Sequence, residues 1–181
     1  MKISDLRTEC KSTLKKTSKD DNNKYMTNSN LQVIDFDCLK DKYTGKIEFK
    51  GLGVKSNDAL FIQDRNYVFI EFKNGETKNI KEFELHKKIY DSVFIFCDIF
   101  DKTLKDTRKE LDYILVANFS NKERNDKILL NNLLKSINIE ERLRMGLRNF
   151  KGYCFRNVHT YSKEEFEEKF VKKYENKNNI K

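Results

Sequence analysis

Three observations in the sequence predict an α/β fold, a mixed central sheet flanked by helices with a C-terminal helical and strand extension. Two apolar runs, residues 59–62 and 67–70, are rich in aromatic and branched side chains and flank the polar cluster Gln63-Asp64-Arg65-Asn66, which is a hairpin signal. Ile80, Phe83, Ile89, Val93, Phe96 and Phe100 recur at three- and four-residue steps with one gap, the mark of a long helix. Tyr113-Ile-Leu-Val-Ala117 then forms the heart of a buried strand over residues 111–119, parallel to a neighbour because a helix precedes it.

The remaining elements follow in chain order. Ile3, Leu6, Cys10 and Leu14 at helical spacing predict a first helix, and the polar run 15–30 reads as a mobile loop. Residues 31–43 are compatible with a short strand entering a short helix. Ile47 and Phe49 alternate with polar neighbours and predict a first core strand over 46–50. Asn74-Gly75 signals a turn before the long helix. Beyond the buried strand, residues 128–134 look helical, and Leu143, Leu147 and Phe150 mark an apolar stripe on a helix that Gly152 ends. Tyr153, Phe155 and Val158 suggest a last strand, Ser162-Lys-Glu-Glu165 is a capping box opening a final helix, and the tail from Glu175 is expected to fray.

A chain of 181 residues with 38% hydrophobic content reads as one domain: residues 1–30 an N-terminal helix and loop, 31–120 a core, 121–181 an extension. The formal charge of +8 suits a polyanionic partner. The four cysteines, Cys10, Cys38, Cys97 and Cys154, lack any Cys-x-x-Cys spacing and are expected as free thiols in a reducing compartment. The N-terminal residues lack the apolar core of a signal peptide, and no apolar run approaches membrane-spanning length, so a soluble, cytoplasmic protein without a membrane partner is expected. With only His86 and His159 present, neither in a nucleophile motif, Ser-His-Asp and Cys-His hydrolases are disfavoured. Gly51-Leu-Gly53-Val-Lys55-Ser56 lacks the Gly directly before Lys and leads into a strand, so it is not a nucleotide-binding P-loop.

The chemistry concentrates at the hairpin. Glu71 and Lys73 are two apart at the end of the second strand and share a face, with Phe72 on the other, while Asp58 opens the first strand and can sit beside Glu71. An acid pair beside a lysine at the edge of an apolar sheet is expensive unless a cation or phosphate joins it. Two carboxylates and a backbone carbonyl are hard oxygen ligands of the kind magnesium prefers, and the lysine can orient the attacking water and offset phosphate charge. Metal-assisted phosphodiester cleavage fits. Glu-x-Lys also occurs at Glu9, Glu48, Glu76, Glu167 and Glu175, so the triplet alone means little; Glu71 stands out because it closes an apolar run and follows a strand-opening Asp at hairpin distance.

Asn57-Asp58 followed by Glu71-Phe72-Lys73 resembles the PD-(D/E)xK nuclease superfamily, the restriction-endonuclease-like fold, whose core runs helix, three strands, helix, strand, over roughly residues 31–120. Asn57 stands where the name-giving proline would be. The resemblance implies Asp58 and Glu71 as ligands of Mg2+ or Mn2+ with the Phe72 carbonyl, Lys73 as the catalytic lysine, and a nuclease acting on DNA rather than RNA, possible as a homodimer. It also implies one more acid from a preceding helix, for which Glu9, Asp35 and Asp37 are the candidates. His86 and Tyr90 match in spacing a Gln and Tyr that position substrate in part of the family, with His in place of Gln; a surface His and half-buried Tyr is the other reading. Lys55, Ser56, Lys87, Arg144 and Arg148 are further candidates for phosphate contact, the last two within a basic run with Arg142, Lys151 and Arg156, although plain loop and helix-surface roles fit them equally. The alternative function is a catalytically inactive nucleic-acid-binding or regulatory module of the same fold.

Overall fold

A computed structural model describes residues 6–51, 53–76, 79–118 and 145–178. The helix expected at 128–134, and Ile3, Arg142, Leu143 and Arg144, lie outside the described residues. Among the described residues six strands form one sheet in the order of the chain: β1 (Lys11–Thr13), β2 (Gln32–Asp35), β3 (Ala59–Gln63), β4 (Asn66–Glu76), β5 (Leu111–Asn118) and β6 (Asn157–Tyr161). The first three neighbouring pairs are antiparallel and the last two parallel. The sheet is therefore mixed, as expected.

The hairpin forms with Gln63 paired to Asn66, leaving Asp64-Arg65 as its loop; Asp64 takes the left-handed φ of 56° that Asp tolerates better than most residues. Strand alternation divides the core in two. Leu60, Phe69, Tyr113 and Leu115 face α1 (Leu6–Glu9), α3 (Phe36–Lys46) and the long α4 (Glu82–Phe100). Ala59, Phe61, Val68, Ile70, Phe72 and Val116 face Leu14 of α2 (Leu14–Thr17) and the C-terminal helix, where Phe166 and Phe170 pack. That helix starts as α6 (Lys163–Phe166), passes through a π-turn (Glu167–Val171) and continues as α7 (Lys172–Asn178); α5 (Leu104–Glu110) feeds β5. The Ser162 capping box is present, with the Glu165 amide donating to Ser162 Oγ at 3.3 Å and the Ser162 amide to Glu165 Oε2 at 3.0 Å.

Several expectations are corrected. The first helix ends at Glu9, because residues 11–13 pair with β2 instead of completing the periodicity that runs to Leu14. Residues 15–30 are not a loose loop. The Lys15 amide donates to the Ser29 carbonyl at 2.9 Å, Met26 is buried, and Ser29 Oγ donates to Glu175 Oε1 at 2.7 Å, which ties this segment to the C-terminal helix; that helix continues past Glu175 to Asn178. Residues 46–50 are not a strand: α3 runs to Lys46, and the amides of Glu48 and Phe49 close back on the carbonyls of Gly45 and Thr44, with Glu48 at φ 51°. That closure satisfies the carbonyls a helix end leaves open, so Ile47 and Phe49 stay outside the core at 46% and 48% exposure.

Asn74-Gly75 is not a turn but part of β4, where the pairing with β5 shifts register between Lys73 and Glu76. Phe83 lies off the apolar face of α4, 78% exposed. The helix expected to end at Gly152 is limited among the described residues to a 3₁₀ turn, Leu147–Phe150, since Met145 and Gly146 both take left-handed φ values that no right-handed helix can cross. Two of the four expected thiols are bonded to each other: α1 packs on α3 and brings Cys10 and Cys38 to a Cα separation of 5.7 Å in a disulfide, while Cys97 and Cys154 are free. Spacing could not reveal that pairing, because the two residues are 28 apart and meet only through packing.

Candidate functional site

The hairpin register, Ala59 opposite Ile70, carries on to set Asp58 beside Glu71, and both alternate onto the α4 face of the sheet. Backbone bonds fix Asp58 on two sides: its carbonyl accepts from the Phe36 amide at 3.2 Å, and its Oδ2 accepts from the Phe72 amide at 2.6 Å. The segment leading into it is pinned to α4. The Lys55 amide donates to Asp91 Oδ2 and the Asn57 amide to Ser92 Oγ, each at 2.8 Å.

Glu71 has a side chain with no exposed surface. Its Oε1 receives two ammonium groups, Lys73 Nζ at 2.7 Å and Lys88 Nζ at 2.7 Å. Lys88 Nζ also lies 3.2 Å from Asp58 Oδ1, so one lysine of α4 bridges both carboxylates. Glu71 Oε2, by contrast, is buried without a hydrogen-bond partner among the described residues, as are both amide atoms of Asn57 and the hydroxyl of Tyr113. Burial and the neighbouring Glu71 push the Asp58 carboxyl up to about 7, against the lowering effect of Lys88, the Phe72 amide and Lys73. Burial alone would lower the Lys88 ammonium, yet the Glu71 and Asp58 carboxylates hold it above its ordinary value.

A pocket of about 200 Å³ opens beside this group, lined among others by Lys55, Lys73, Lys81 and Lys88, with Glu84 as its acid. Lys81 Nζ lies 3.5 Å from Glu84 Oε1, and Lys73 and Lys88 pair with the buried carboxylates, so the concavity keeps a small positive excess that suits an anion the size of a phosphate. The donor set suits one hard divalent ion. Asp58, Glu71 and the Phe72 carbonyl would all offer oxygen, and the unpartnered buried Glu71 Oε2 is an atom such an ion would satisfy. Among the described residues no group of three or more His, Cys, Asp or Glu side chains converges as metal ligands.

The remaining candidates are dispersed. Of the possible upstream acids, Glu9 pairs with Lys42, Asp35 caps α3 by accepting from the Cys38 amide at 2.9 Å, and Asp37 accepts from Ser56 Oγ. Ser56 is thereby buried and engaged. Lys87 Nζ is 2.8 Å from Asp91 Oδ2. His86 Nε2 donates to the Met145 carbonyl at 2.7 Å and, with Tyr90, packs on the Phe150 ring, so this pair docks the 145–150 segment on α4. Arg148 is exposed in the 3₁₀ turn, whereas Arg156 is committed to Asp112 through Nη2–Oδ2 at 2.7 Å and Nε–Oδ1 at 2.9 Å.

Sequence reasoning missed Lys88. A signal existed: Lys88 lies three residues after Leu85 and four before Ser92, on the helical stripe those buried residues share, and a cation there needs a partner. Comparison with protein-family models, curated proteins and solved structures found no match.

Proposed function

We propose that this chain is a metal-dependent nuclease that hydrolyses phosphodiester bonds, in DNA in preference to RNA, at Asp58, Glu71 and Lys73. The observation that carries the reading is Glu71: a carboxylate with no exposed surface, one oxygen shared by two ammonium groups and the other without a partner. A buried charge with its hydrogen bonds this incompletely met is costly, and a folding role alone does not account for it. The chain order also supports the restriction-endonuclease-like reading. The strands β2 to β4 are antiparallel neighbours, with α3 inserted between β2 and β3, and α4 and α5 lead to β5, which is parallel to β4.

In this reading Asp58, Glu71 and the Phe72 carbonyl hold Mg2+ or Mn2+, which when bound lowers the pKa of water and polarises the phosphoryl group. Lys73 Nζ, held 2.7 Å from Glu71, orients the attacking water and offsets charge on the phosphate. Lysines of the adjoining pocket position the flanking phosphate by charge, with little dependence on base sequence. One observation favours a second reading, a non-catalytic nucleic-acid-binding module: the two ammonium groups already balance the two carboxylates, and no third acid joins them among the described residues.

One experiment separates the two. Supercoiled plasmid, linear duplex, single-stranded DNA and RNA are incubated with Mg2+, Mn2+ or a chelator, with the parent and Lys73→Ala side by side. Metal-dependent cutting by the parent that collapses in the variant is expected. Failure of the folded parent to cut any of the four substrates would sink the nuclease and leave the binding module.

A further inference from the structure

We propose that Lys88 is a displaceable counterion: its ammonium stands between Asp58 and Glu71 where a divalent cation binds, and it moves into the adjoining lysine pocket, towards substrate phosphate, when that cation arrives. The proposal rests on the reading of Asp58 and Glu71 as the metal ligands. Of the two lysines at the site, Lys88 alone reaches both carboxylates, at 3.2 Å from Asp58 Oδ1 and 2.7 Å from Glu71 Oε1, the bridging position of a shared cation. Lys73 touches a single oxygen.

Charge explains why Lys88 must move. Two carboxylates and two ammonium groups sum to zero, so a divalent ion raises the total to +2 around a glutamate with no exposed surface. Repulsion at that depth is weakly screened, and an ammonium on a flexible four-carbon stem relieves it by leaving. Lys88 has somewhere to go. Its side chain is 20% exposed and lines the pocket of about 200 Å³ with Lys55, Lys73 and Lys81. A phosphate bound there supplies the negative charge that the carboxylates then give to the metal. Metal and substrate thus bind cooperatively, each removing the cost the other would meet.

Calorimetric titration of Mn2+ into the parent, Lys88→Met and Asp58→Asn tests this without relying on cleavage. Lys88→Met should bind Mn2+ roughly tenfold more tightly than the parent, within the usual range of coupling between two sites, and Asp58→Asn should lose the binding. Equal affinity in the parent and Lys88→Met, with binding still lost in Asp58→Asn, overturns the displacement while leaving the metal ligands in place. Absence of binding in both the parent and Lys88→Met overturns the metal site and the displacement together. Should Lys88→Met not fold, acetylation of the parent read by mass spectrometry decides. Lys88 should label several-fold faster with saturating Mn2+ than with chelator, while Lys169 on the C-terminal helix stays constant; an unchanged Lys88 rate overturns the proposal.

Discussion

Two charged clusters sit in the same sheet, and they are built to opposite standards. At the start of β5, Asp112 accepts the fork of Arg156 on both oxygens, and its Oδ1 also accepts from the amide and side chain of Asn157, each at 3.1 Å. Arg156 spends its remaining Nη1 on Asn66 and the Lys109 carbonyl. In the middle of β4, Glu71 is more deeply buried, yet two lysines crowd one of its oxygens and no described group meets the other. The first arrangement satisfies its charges and joins three strands; the second concentrates charge without satisfying it. A cluster of the first kind stabilises the fold, whereas one of the second is stable only because the surrounding strands and α4 hold it.

Substitutions can break this contrast or sharpen it. The largest effect is expected from Glu71→Gln, which keeps the shape and removes the charge: metal-dependent cleavage should fall about a thousandfold or more, measured on plasmid, with circular dichroism unchanged. Next comes Lys73→Ala, for which turnover should drop about a hundredfold, the scale of a lost proton-transfer or water-orienting group, while Mn2+ affinity by calorimetry stays close to the parent's. In the other cluster the effect moves to stability. Arg156→Met should lower the unfolding free energy by about 2 kcal/mol, since it leaves Asp112 short of its partners, and cleavage per folded molecule should not change; urea denaturation beside a cleavage assay reads both. The smallest effect on stability is the most diagnostic. Asp58→Asn removes a charge that burial and Glu71 disfavour while keeping an oxygen for the Phe72 amide. Its thermal midpoint should hold or rise, by the equivalent of about 1 kcal/mol, as cleavage is lost. A marked fall in stability would place Asp58 with Asp112, as a group that serves the fold.

Much of this was legible along the chain wherever the governing interactions were local. The hairpin around Asp64, the long helix, the parallel strand through Tyr113 and the Ser162 capping box are set by periodicity, turn chemistry and caps within a few residues. The same logic puts Glu71 and Lys73 on one face and Phe72 on the other, because strand side chains alternate whatever the sheet around them does. Local reading failed where a pattern had two outcomes. Ile47 and Phe49 alternate like a strand, but the end of α3 closes on them first.

What only the tertiary structure decided are the meetings of residues far apart in sequence. Lys88 reaches Glu71 across 17 positions and Asp58 across 30, Cys10 finds Cys38, and Arg156 finds Asp112 across 44. No periodicity encodes such pairs, since each depends on which helix face lands on which strand and at what height. The sequence by itself determined the acid-acid-lysine arrangement at the hairpin, because that rests on a two-residue repeat and one turn. Packing α4 against the sheet added the second lysine, the lysine pocket and the complete burial of Glu71, because only there does the low dielectric between helix and strand turn four ordinary side chains into one coupled group.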